Sequence, residues 1–133
     1  MLVDTSVAVA LVVIDHDYHA STVAALQGRR LGLAGHAAFE TFSVLTRLPA
    51  PLRRSPRVVS EVVRRAFEDS RFLGEEASAR LLGRVGDLGI SGGAIYDALV
   101  GATAVKHGLV LATRDERAAG TYRLLGVETL SLS

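Results

Sequence analysis

Short apolar runs alternate along the chain with longer stretches whose apolar residues recur at helical spacing. Leu2-Val3 reads as a brief strand that stops at Asp4. Asp4, Thr5 and Ser6 then supply N-cap chemistry for a helix over residues 6–13. After a break at His16-Asp17, a second helix is predicted over His19–Gln27, closed by Gly28. Leu31–Ala34 predicts a strand, and Ala37–Leu48 a helix that ends before Pro49. Pro49–Pro56 reads as a loop. Ser55-Pro56 opens the next helix with a cap and a first-turn proline, running to Asp69. Arg71–Leu73 predicts a short strand, and Glu75–Leu88 a helix whose acidic start suits the positive end of the helix dipole. Ser91-Gly92-Gly93 breaks the chain before a helix over Ala94–His107. Leu109–Ala112 is the clearest strand. Thr113–Glu116 leads into a short helix ending near Gly126, and Val127–Leu130 is the final strand.

Helices thus separate four to five short strands, which predicts one α/β domain over residues 1–133 with a central, mainly parallel sheet. In such sheets functional groups collect at the carboxyl ends of the strands.

Composition narrows the chemistry. There is no Cys, so disulfide scaffolds, thiolate metal sites and Cys nucleophiles are excluded. A net charge of +1 excludes a histone-like tail or an acidic solvating domain. Every basic residue except Lys106 is Arg, whose guanidinium pairs bidentately with phosphate and carboxylate. The first fourteen residues are apolar enough to resemble a signal core, but Asp4 interrupts them and no positive residue precedes. No run reaches the ~18 apolar residues that span a bilayer. A cytoplasmic protein with no membrane partner is expected.

Four acids stand in unusual places. Asp4 follows the first strand and Asp115 follows the Leu109 strand, each readable as a helix cap or as a functional group. Glu40 is the only acid between Gly35 and Thr46, among Phe39, Phe42, Val44 and Leu45. Asp97 lies on a helix apolar or small on every face, where positions 93, 97, 100, 101 and 104 share one side. A charge there is costly unless paired or bound to a metal. A parallel sheet can bring both strand ends to one edge, and the helices can deliver Glu40 and Asp97 there. Clustered carboxylates repel and take up protons without a counter-ion. A divalent cation resolves the conflict, and oxygen ligands select Mg²⁺ or Mn²⁺ over zinc.

The ordered acids Asp4, Glu40, Asp97 and Asp115, in the local sequences LVDTS, FET, YDALVGATA and LATRD, resemble the PIN-domain nucleases. Over nearly the whole chain they resemble the VapC-type toxins of bacterial VapBC toxin–antitoxin pairs. The resemblance implies a three-layer α/β/α fold and an endoribonuclease dependent on Mg²⁺, with Mn²⁺ as a substitute. It makes Asp4, Glu40, Asp97 and Asp115 both catalytic and metal-binding, with Thr5 or Ser6 assisting and Thr113 shaping the pocket. Glu116 adds a second acid beside Asp115, and Asp115 is the favoured of the two. The resemblance also implies a transfer or ribosomal RNA substrate, a cognate VapB-type antitoxin, a homodimer, and operator DNA contact only through the antitoxin.

Arg47, Arg53, Arg54, Arg57, Arg64 and Arg65 face a single acid, Glu61, between Thr41 and Phe67, so this segment either follows a phosphate backbone or forms a solvated face. Phe42, Leu45, Val59 and Val63 offer an apolar surface to a partner or to the core. The glycines from Gly83 to Gly93 fit neither a Walker A nor a dinucleotide pattern. His16, His19, His36 and His107 read as surface or capping residues. A phosphorelay receiver is disfavoured because Asp4 has no acidic neighbour and Gly35 follows the strand ending at Ala34. The alternative is a catalytically weak PIN-fold regulator that binds RNA or protein.

Overall fold

The computed structural model describes residues 1–132. Strands β1 (Leu2–Val3), β2 (Gly32–Leu33), β3 (Leu111–Thr113) and β4 (Thr129–Ser131) form an all-parallel sheet in the order β2-β1-β3-β4. Leu2 pairs with Gly32 on one side and Leu111 on the other, and Ala112 pairs with Leu130. Leu2, Val3, Leu33, Leu111 and Ala112 are all fully buried. Successive strand residues point to opposite faces, so this burial requires helices on both.

Seven α-helices among the described residues provide that cover: α1 (Thr5–Val12), α2 (His19–Leu26), α3 (His36–Thr46), α4 (Pro56–Ala66), α5 (Glu75–Arg84), α6 (Ala94–His107) and α7 (Ala119–Leu124). Local chemistry sets their limits. Asp4 caps α1 by accepting from Val7 N, and Ser55 caps α4 by accepting from Val58 N ahead of Pro56. The main core joins Val7 and Ala8 of α1, Val100 and Ala104 of α6 and Tyr122 of α7 to the strands. A second cluster gathers Leu73, Ala77, Leu81 and Ala98 between α5 and α6. No helix among the described residues is long and apolar enough to cross a membrane.

Several boundaries differ from the sequence reading: α4 ends at Ala66 and not Asp69, α5 at Arg84 and not Leu88, β2 narrows to Gly32–Leu33, and three further predicted strands move or shrink. The strands expected at Leu109 and Val127 begin two residues later, at Leu111 and Thr129. Leu109 N is bonded to Ala104 O and Val127 N to Tyr122 O, so both residues still close the preceding helices. Gly108 (φ 62°) and Gly126 (φ 73°) provide the left-handed step in each closure. The strand expected at Arg71–Leu73 contracts to a single parallel bridge, Ala34 to Arg71. Ser70 Oγ there accepts from Leu33 N at 2.9 Å, in place of a main-chain carbonyl.

The strand order creates the crevice that matters. The chain leaves β1 toward β2 on one side, then crosses to place β3 on the other. The carboxyl ends of β1 and β3 flank this switch point, where open α/β sheets bind their ligands.

Gly32 shows how tightly the β2 edge is packed. A Cβ on it would lie 2.1 Å from the main chain of Asp69. Gly32→Ala is expected to destabilise the protein by about 1–3 kcal/mol, the usual cost of overpacking. Urea unfolding followed by circular dichroism checks this, and an unchanged midpoint would refute the close approach.

Candidate active site

The four acids singled out from sequence come together. Asp4, Glu40, Asp97 and Asp115 line one cavity of about 50 Å³ with Thr5, Ser6, Val100, Arg117 and Tyr122. Asp4 sits at the end of β1, and Asp115 lies two residues past β3. Glu40 stands in the second turn of α3, which leaves the carboxyl end of β2, and Asp97 lies in the first turn of α6. Glu116 is exposed and lies outside the cavity lining, so Asp115 is the member of that pair on the cavity.

Asp4 is both the helix cap and a cavity acid, so the two readings of this residue were not exclusive. Its Oδ1 accepts from Ser6 Oγ at 2.5 Å and Val7 N at 3.3 Å. Its Oδ2 accepts from Thr113 Oγ1 and from Tyr122 Oη, the latter at 3.0 Å. Burial pushes the Asp4 carboxyl above the usual aspartate range, and these four donors pull it back. The Tyr122 phenol is pushed up by burial first and by the Asp4 charge second, so it remains a donor. Ser6 Oγ also accepts from Arg114 N, and Thr113 Oγ1 from Asp115 N, which ties the β3 exit to the β1 exit.

Glu40 is held from two sides. Thr5 Oγ1 donates to Oε2 at 3.2 Å, and His36 Nε2 lies 3.1 Å from Oε1. His36 also stacks on Tyr96, with ring centroids 4.7 Å apart. Asp115 Oδ1 accepts from Arg117 N, and its Oδ2 pairs with Arg117 Nη2, each at 3.0 Å. Asp97 differs from the other three. Its environment is set by burial and by charge, and among the described residues none donates a hydrogen bond to its carboxylate. Burial raises its pKa most. Arg117 lowers it, and the charges of Asp115, Glu40 and Asp4 raise it further.

Sequence reasoning missed three residues here. His36 was read as a surface or capping residue, yet it holds Glu40. Its position four residues before Glu40 on one helix was the available signal. Arg117 follows Asp115 by two residues, a spacing that carries no general rule. Nothing local marks Tyr122 as a partner of Asp4, 118 residues away. In the arginine segment the guanidiniums stay exposed and make local contacts. Arg64 and Arg65 both bind Glu61, and Arg53 and Arg54 turn back onto loop carbonyls. Of the other histidines, His19 Nδ1 meets Ala10 O and His107 Nε2 meets Phe72 O.

Among the described residues, no group of three or more carboxylate or imidazole side chains is gathered closely enough to hold a metal ion. The donor chemistry nevertheless fits a hard divalent cation: oxygen atoms only, from four acids facing one cation, Arg117. The raised pKa of Asp97 has a consequence for stability. The folded chain binds protons that the unfolded chain releases, so this group's contribution falls as pH rises above ~4. In chelator, Asp97→Asn is expected to raise the thermal midpoint at neutral pH, with the gain vanishing toward pH ~4. Melting curves across that range check it, and a pH-independent difference would count against the assignment.

The PIN domain family model matches residues 1–124. Ribonuclease VapC27 of Mycobacterium tuberculosis is 42% identical over 130 residues, covering 98% of this chain and 95% of that protein. Ribonuclease VapC40 of the same species is 44% identical over 126 residues, covering 94% and 93%. The crystal structure titled FitAcB from Neisseria gonorrhoeae superposes with a TM-score of 0.69 at 19% identity, over 98% of this chain and 96% of that one. The structure of FitAB bound to an IR36 DNA fragment gives a TM-score of 0.64 at 18% identity, over 98% and 93%. These structural likenesses bear out the PIN-like three-layer α/β fold. With a family match over nearly its whole length and relatives above 40% identity, this chain belongs to the PIN-domain family, among the VapC-type ribonucleases.

Proposed function

We propose that this chain is a Mg²⁺-dependent endoribonuclease, with Mn²⁺ as a substitute, acting as the toxin of a toxin–antitoxin pair. One observation carries the reading: four acids from four separate chain segments line a single small cavity at the sheet's switch point. Asp4, Glu40, Asp97 and Asp115 would hold the cation. Held there, a divalent cation would supply a water of lowered pKa and stabilisation of charge on the phosphate oxygens.

The side chains divide the remaining work. Asp4 is pinned by four donors and ties the β1 exit to β3 and α7. Glu40 is oriented by Thr5 and His36. Asp97 carries the oxygens not committed to hydrogen bonds, so it orients the attacking water and accepts its proton. The substrate is RNA, by kinship with relatives named as ribonucleases.

Asp97→Asn is expected to lower RNA cleavage by about 10²–10⁴-fold, the usual worth of a positioned acid–base group, while the fold persists by circular dichroism. Wild-type cleavage is expected to stop in EDTA and return with Mg²⁺ or Mn²⁺. Unchanged cleavage by the variant would remove Asp97 from the site. RNA binding by the wild type without any cleavage would favour the regulator reading.

The partner is a cognate antitoxin, and the surface that suits it is an apolar groove of about 410 Å³ beside α4. Val12, Ile14, Leu45, Leu52, Val58 and Val62 are among its lining residues. Ile14 is 78% exposed and Val58 46% exposed, an unfavourable arrangement until something covers them. Ile14→Asp combined with Val58→Asp is expected to weaken antitoxin binding at least tenfold, because a buried charge needs a partner. Co-purification with the product of the adjacent gene, together with unaltered RNA cleavage, checks this. Retained binding would place the antitoxin elsewhere.

A further inference from the structure

Arg117 is the one cation among the residues lining the carboxylate cavity, and the way it is held is unusual. Its main-chain N–H takes one oxygen of Asp115 and its guanidinium takes the other. The negative charges of Asp97 and Glu40 act on it as well. Yet its side chain is 76% exposed, so the guanidinium is tethered at an open mouth and not packed into the fold. The carboxylates it faces are anchored to strand ends and helices, whereas a long exposed side chain reorients readily.

We propose that Arg117 is an exchangeable internal counter-ion. It neutralises Asp115 in the metal-free chain, yields that carboxylate to a divalent cation, and then presents its guanidinium to the RNA phosphate. The inference rests on the metal-dependent reading above. Both oxygens of Asp115 accept hydrogen bonds from one residue, so a cation at Asp115 competes directly with the guanidinium. Like charge then drives Arg117 outward. The exchange is cheap because an exposed ion pair contributes little. A displaced guanidinium keeps its planar fork of donors, which matches two phosphate oxygens at once. Arg114, by contrast, is unsuited to the role. Its guanidinium donates to Thr22, Ser21 and Leu132 O and lies 4.7 Å from the Tyr18 ring centroid.

Calorimetric titration of Mg²⁺ and Mn²⁺ into the full chain without RNA tests the exchange. Arg117→Gln is expected to bind the ion about three- to tenfold more tightly than wild type, with the gain shrinking as salt rises. Arg117→Lys, which keeps the charge, is expected to stay near wild type. At saturating metal, Arg117→Gln is expected to raise the KM for RNA at least threefold, while its thermal midpoint in chelator stays within a few degrees of wild type. Equal metal affinity in wild type and Arg117→Gln overturns the proposal, and so does an unchanged KM. Absence of metal binding in every variant overturns the metal-dependent reading and the proposal together. Metal binding that Asp97→Asn abolishes and Arg117→Gln leaves unaltered overturns the proposal alone.

Discussion

The structure turns on one buried carboxylate. Asp4 draws its four donors from three separate parts of the chain: the first turn of α1, the end of β3 and the middle of α7. A buried charge tolerates no vacant partner, because an unmet carboxylate costs far more than a hydrogen bond contributes. The β1 exit, the β3 exit and α7 are therefore locked to one another through Asp4. Gly101 on α6 makes the last of these contacts possible. A Cβ there would lie 3.1 Å from the Tyr122 ring and 3.0 Å from Val127.

Around this anchor the carboxylates are held to different degrees. Asp4 is saturated, Glu40 is held by a hydroxyl and an imidazole, and Asp115 is held by its own neighbour. Asp97 is left with burial, the attraction of Arg117 and the repulsion of the other acids. The backbone and Asp4 form the framework on which Asp97, Asp115 and Arg117 sit. The net charge of +1 conceals this arrangement, since it averages a concentrated acidic cavity with arginines spread elsewhere.

Much of the fold was legible because its signals are local. The cap at Asp4, the Ser55-Pro56 helix start and the apolar strands at Leu2 and Leu111 each depend on a few neighbouring residues. Strand starts were misplaced where a helix closure consumed two more residues, a main-chain bond with no side-chain signature beyond a glycine. The Arg71 segment has strand-like composition, but a Ser70 hydroxyl intervenes in its pairing, which no propensity registers.

The sequence by itself determined the alternation of elements, Asp4 and Asp115 at strand ends, and Glu40 and Asp97 on largely apolar helices, an ordered set that resembles the PIN-domain nucleases. The elements and the acids' local settings follow from composition and periodicity within a short window, and the grouping of the acids is what the resemblance implies. Tertiary structure alone decided that these acids share one cavity and that Tyr122 and Thr113 hold Asp4. The physical reason is separation along the chain. A carboxylate's partners are set by where strands end and helices cross. In a parallel sheet, those meeting points join residues more than a hundred positions apart.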